Sequence, residues 1–145
     1  MKYKYIFFDV AFSLLDKSYL DQTIQTVLKN QKFEISVEDI RKSRKAVSEI
    51  LVAPSKTTNK FYRAFNSEVL FALGVIPTEK ILDELFVQCR KLEWKPFKDT
   101  QIFEDLPVGL GIISNWDSSL KQKIHDFFSV SFDPIISSAE FKIYK

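Results

Sequence analysis

The sequence predicts an α/β fold, and three observations carry that expectation. Apolar, strand-forming runs recur at Tyr5–Phe8, Val108–Ile113 and Phe132–Ile136, and each gives way to a polar residue: Asp9, Ser114 and Ser137. Helical patterns rather than tight turns separate these runs, so the strands are parallel, in a doubly wound, Rossmann-like sheet. Between the first run and the second lie four helical patterns in succession. Amphipathic helices that cannot all cover a sheet pack on one another, which predicts an inserted helical bundle.

Taken in order, Tyr5-Ile6-Phe7-Phe8 is a continuous apolar run of the kind a strand buried on both faces shows, and Asp9 stops it. Tyr19 to Lys29 places Leu20, Ile24, Val27 and Leu28 on one helical face. Ser36-Val37-Glu38-Asp39 is an N-terminal cap with acids in the first turn, opening a helix toward Leu51 that Ala53-Pro54-Ser55 stops. Phe61, Phe65, Val69, Leu70 and Leu73 mark a third helix, closed by Gly74 at a site suited to positive φ. The Phe61/Phe65 stripe is expected to be core rather than a ligand surface. Pro77-Thr78-Glu79 opens a fourth helix with Ile81, Leu82, Leu85, Phe86, Cys89 and Leu92 inward. Trp94-Lys95-Pro96-Phe97 is a hinge back to the sheet, since Pro96 restricts its neighbour to extended geometry. A short helix spans Asp99 to Leu106, and a further helix spans Ser118 to Phe128. Pro134 suits the start of the third strand.

Composition narrows the function. Acids and bases are interspersed and the net charge is +2, which excludes nucleic acid as the main partner. The basic run Arg41-Lys42-Ser43-Arg44-Lys45 is expected to be a solvated helix face. Cys89 stands alone, so neither a disulfide framework nor a thiolate metal cage is available. A reducing, cytoplasmic setting is the default expectation. No stretch approaches transmembrane length and the N-terminus does not read as a signal peptide, so no membrane partner is expected. His125 is the only histidine, which argues against a Ser-His-Asp triad or a histidine metal cluster. With three glycines there is neither a phosphate-binding P-loop nor a dinucleotide fingerprint.

The chemistry-bearing residues sit at strand ends, where open α/β sheets hold ligands. Asp9 follows the first strand and Ser114-Asn115-Trp116-Asp117 the second. Ser137-Ser138-Ala139-Glu140 leads from the third to Lys145. Asp, then Ser, then Lys in this order resembles the first three motifs of the haloacid dehalogenase (HAD)-like hydrolase superfamily, over nearly the whole chain. The resemblance implies a HAD-like core from residues 1–16 and 95–145, and a helical cap from residues 17–94 inserted after the first motif. It implies a phosphatase acting on a small phosphorylated molecule through an aspartyl-phosphate. Asp9 would be the nucleophile. Ser114 and the backbone N–H of Asn115 would bind the phosphoryl oxygens, and Lys145 would supply positive charge to both. Mg²⁺ would be held by Asp9 and the main-chain carbonyl of Ala11.

Two departures accompany the resemblance. Phosphatases of the family read Asp-x-Asp-Gly-Thr where this chain reads Asp9-Val10-Ala11-Phe12-Ser13. Ala11 cannot transfer a proton, a function worth roughly 10²–10⁴ in rate. Phe12 stands where the family has glycine, so its ring is expected to crowd the pocket. The family also carries an acidic motif beyond the lysine, and no Asp or Glu follows Lys145. The core is then incomplete, with weak Mg²⁺ binding, weak or absent activity, and strand one left as an apolar edge open to self-association. The competing expectation is a non-catalytic relative acting as a binding protein. A dehalogenase- or phosphonatase-like hydrolase is the further alternative, the latter drawing a Schiff-base lysine from Lys42, Lys45, Lys56 or Lys60.

Overall fold

The computed structural model describes residues 3–51 and 54–141, so Lys145 and the helix stop at Ala53 lie outside the described residues. In chain order the elements begin with β1 (Tyr5–Phe8), β2 (Leu15–Asp16) and four helices: α1 (Leu20–Asn30), α2 (Val37–Ile50), α3 (Asn59–Ala72) and α4 (Glu79–Arg90). There follow β3 (Lys95–Pro96), a 3₁₀ helix (Lys98–Asp105), β4 (Gly109–Ser114), α5 (Leu120–Phe127), β5 (Ile135–Ser137) and α6 (Ser138–Phe141). The described chain divides into two compact units. One takes residues 3–17, 54–56 and 94–141, and the other residues 18–51 and 57–93.

The first unit is α/β. Its sheet is parallel, in the order β1-β4-β5, with Phe8 opposite Ile112 and Ile112 opposite Ile135. Alternation along β4 decides which face is core. Leu110 and Ile112 point into a cluster with Phe103 of the 3₁₀ helix, Leu120 and Ile124 of α5, and Phe132. Phe8, Phe103, Phe128 and Phe132 join in ring contacts of 4.9 to 6.1 Å, offset or edge-on as aromatic quadrupoles prefer. On the opposite face, Gly109 and Gly111 leave room that rings occupy. A Cβ at Gly109 would lie 2.4 Å from the Tyr5 ring, and one at Gly111 would lie 2.5 Å from the Phe7 ring. Tyr5, Phe7 and Ile113 stay exposed there, and β1 forms the sheet edge among the described residues.

The second unit is all-helical. The helices pack in a closed ring, α1 on α2, α2 on α3, α3 on α4 and α4 on α1. Ile24, Val27, Leu28, Ile40, Leu70, Val75, Ile81, Leu82 and Leu85 form its core. Their periodic spacing is what makes these segments helices: each buries one stripe against its neighbours. The ends are set by local chemistry. Ser36, Thr58 and Thr78 accept N–H bonds from Asp39, Phe61 and Ile81, satisfying donors that a helix start leaves unpaired. Gly74 adopts φ 73°, as expected for the residue that ends α3.

Several expectations change. Phe61 and Phe65 are half-buried, and Val69 and Leu70 supply the buried face of α3 instead. Arg41 and Arg44, in the basic run, both pair with Asp21 of α1, so part of that run ties two helices together. The segment expected to be a hinge forms β3, which pairs antiparallel with β2, and Phe97 N–H donates to the Leu14 carbonyl. The helix expected at Asp99–Leu106 is of the tighter 3₁₀ type. No helix among the described residues is long and apolar enough to cross a membrane.

Candidate functional site

Two parallel strands bring Asp9 and Ser114 together. Asp9 directly follows β1, and Ser114 ends β4, its neighbour in the sheet. The Ser114 hydroxyl donates to Asp9 Oδ1 at 2.8 Å, although the two residues are 105 positions apart in sequence. Ser114 is buried and Asp9 half-buried. One carboxylate oxygen is thereby oriented by a neutral donor, while the group keeps its capacity to accept or to attack.

The loop after Asp9 is wound tightly. The buried Val10 carbonyl accepts N–H bonds from Ser13, Leu14 and Leu15, and Phe12 N–H donates back to the Leu15 carbonyl at 2.7 Å. This winding forces Phe12 to φ 60°, a region that bulky residues seldom enter. Its ring packs on Trp94 at 5.5 Å, and Trp94 packs in turn on Trp116 at 5.3 Å. The Lys17 ammonium lies 5.7 Å from the Trp94 ring. The ring expected to crowd the pocket is therefore held against an aromatic neighbour.

The loop after Ser114 is fixed as firmly. Asp117 is buried, and its Oδ1 accepts both the N–H and the hydroxyl of Ser119, opening α5. Trp116 donates its indole N–H to the Ser119 hydroxyl, and Ser118 N–H donates to the Ser55 carbonyl. Asn115, between Ser114 and Trp116, is exposed.

Of the residues named from sequence, the structure brings Asp9 and Ser114 into contact and places Ala11 and Asn115 on the same two loops. Lys145 lies outside the described residues. Glu140 pairs with Lys121. The described residues contain no group of three or more His, Cys, Asp or Glu side chains placed to hold a metal ion, and the Mg²⁺ set named from sequence, Asp9 with the Ala11 carbonyl, brings a single carboxylate. The aromatic group Phe12, Trp94 and Trp116 was not read from sequence as a unit. Its one signal is that the chain has two tryptophans, one beside the Ser-Asn motif and one at the return to the sheet.

No protein-family model and no curated protein matches the sequence. Solved structures do. The defluorinating L-2-haloacid dehalogenase Rha0230 superimposes with a TM-score of 0.58 at 20% identity, covering 98% of this chain and 63% of its own. A haloacid dehalogenase-like protein of unknown function, ATU0790 from Agrobacterium tumefaciens str. C58, gives 0.57 at 17% identity, covering 96% of this chain and 60% of its own. The L-2-haloacid dehalogenase PA0810 gives 0.51 at 18% identity, with 98% and 65% coverage. The chain thus spans about three-fifths of the length of the structures it resembles. A parallel sheet carrying Asp9 and Ser114 at adjacent strand ends, with a ring of helices between those strands in sequence, has the fold of the haloacid dehalogenase-like structures.

Proposed function

We propose that this chain is the nucleophile-bearing part of a HAD-like hydrolase, in which Asp9 takes the phosphoryl group of a small phosphorylated substrate as an aspartyl-phosphate. The observation that carries the reading is the hydrogen bond from Ser114 to Asp9 at the ends of adjacent parallel strands. An oxygen of Asp9 attacks phosphorus, the bond to the leaving oxygen breaks, and water then attacks phosphorus to regenerate the carboxylate. Ser114 holds Asp9 in place and is available to donate to a phosphoryl oxygen as charge develops. Leaving-group protonation falls to solvent, because Ala11 has no proton to give.

Ala11 favours a second reading. Displacement of halide from carbon by Asp9 expels an anion that needs no proton, so an alanine at that position is no handicap. Water then attacks the carbonyl carbon of the Asp9 ester, releasing a hydroxylated product. Two of the similar structures are named as L-2-haloacid dehalogenases, which supports weighing this chemistry.

Turnover in ¹⁸O-labelled water separates the two. With p-nitrophenyl phosphate, the phosphoryl reading expects label in released phosphate and none in Asp9. With 2-chloropropionate, the carbon–halogen reading expects label in the Asp9 carboxylate. Asp9→Asn abolishes both. Failure to turn over either class would overturn the hydrolase reading and leave the binding-protein alternative.

A further inference from the structure

Three aromatic rings form a connected group, drawn from the loops that follow Asp9 and Ser114 and from the return to the sheet, with Trp94 and Trp116 also packed against the core. Phe12 lies three residues after Asp9, Trp116 lies two residues after Ser114, and Trp94 bridges them at 5.5 and 5.3 Å. A ring kept for burial would be expected inside. Phe12 is instead 49% exposed, and Trp94 and Trp116 are half-buried at the margin of the core. The backbone at Phe12 sits in a left-handed conformation that glycine adopts without cost, so a phenylalanine is held there against steric preference. An outlier of this kind next to a candidate nucleophile points to a role at the site.

We propose that Phe12, Trp94 and Trp116 form an aryl-binding wall at the Asp9–Ser114 site, so that the preferred substrate carries a planar aromatic group beside its anionic reacting group. This assignment rests on the reading of Asp9 and Ser114 as the reaction centre. The wall sets specificity: an aryl group stacks on exposed ring faces, whereas a short alkyl group leaves them wet.

The test uses binding to the whole chain. Both tryptophans of the sequence belong to the wall, so tryptophan fluorescence, excited selectively over the tyrosines, reports on it. The probes are phenylphosphonate, methylphosphonate and phenylacetate. Phenylphosphonate is expected to quench the fluorescence and to bind roughly three- to tenfold more tightly than methylphosphonate. Phe12→Gly, which suits the positive φ, is expected to bring phenylphosphonate affinity down to that of methylphosphonate. Trp94→Leu provides a second variant with the same expectation.

Equal affinity for the two phosphonates overturns the wall and leaves the phosphoryl reading standing. Binding of phenylacetate that depends on Phe12, without binding of either phosphonate, supports the wall and overturns the phosphoryl reading. An aryl preference that survives both substitutions, or no fluorescence response to any probe, overturns the wall.

Discussion

Ser114 Oγ lies 2.8 Å from Asp9 Oδ1, joining the end of β4 to the residue that follows β1. The contact depends on sheet register. Phe8 stands opposite Ile112, so the next residue of one strand and the second-next of the other emerge side by side at the carboxyl end. Register is therefore what converts two distant polar residues into a pair.

Removing the hydroxyl tests that pair. Ser114→Ala removes the hydroxyl that donates to Asp9 Oδ1. It is expected to lower stability by only about 1 kcal/mol, because Asp9 is half-buried and water can replace the bond. Formation of the covalent intermediate on Asp9 is expected to fall by roughly 10²-fold, the scale of losing one donor aimed at developing charge. Denaturant titration and rapid-quench kinetics measure the two effects separately, and equal loss in both would contradict the functional role.

The sheet core predicts an asymmetry between adjacent residues. Ile112 is fully buried, whereas Ile113 is 38% exposed on the other face. Ile112→Ala is expected to destabilise the chain by about 2–5 kcal/mol. Ile113→Ala is expected to cost clearly less, because part of its surface already meets water. Urea unfolding of the two variants checks the order, and reversal would mean that the faces are assigned wrongly.

Gly111 gives a prediction with a built-in rescue. A Cβ there would lie 2.5 Å from the Phe7 ring. Gly111→Ala is expected to cost about 1–3 kcal/mol by overpacking, toward the low end because Phe7 is exposed and its ring can swing outward. Combining it with Phe7→Ala is expected to recover most of that loss. Additive losses in the double variant would place the strain elsewhere.

In the helical unit, Thr78→Ala is expected to cost about 1 kcal/mol, since its side chain accepts the Ile81 N–H at the start of α4. Thermal unfolding measures it. Gly74→Ala is expected to cost a similar amount, about 1 kcal/mol, for a different reason: φ 73° is strained for any residue with a Cβ.

Much of this was legible in the residues, and the exceptions have physical causes. Tyr5–Phe8 reads as a strand because aromatic and branched residues run without interruption to Asp9, and the stripes of α1 and α4 follow one helical period. Ser36 and Gly74 were readable because a cap and a positive φ each demand particular chemistry. β2 and β3 were not. Two residues carry no periodicity, and their pairing is fixed by contacts between segments about eighty positions apart. The Phe61/Phe65 stripe has core spacing, yet burial at the start of α3 depends on what its neighbours cover. At the site, Asp9 and Ser114 announced themselves by following strands. The aromatic group did not, because Phe12, Trp94 and Trp116 meet only after folding, and nothing in a phenylalanine signals φ 60°.

The central claim is that Asp9 is a nucleophile, and the most direct measurement is the mass of the peptide that contains it. The protein is mixed with p-nitrophenyl phosphate or with 2-chloropropionate, acid-quenched within the first turnover, and digested. The account predicts an adduct on Asp9, of one phosphoryl group or one 1-carboxyethyl group, that is absent in Asp9→Asn. Product formation with an unmodified Asp9 peptide, or with the adduct on another residue, would contradict it.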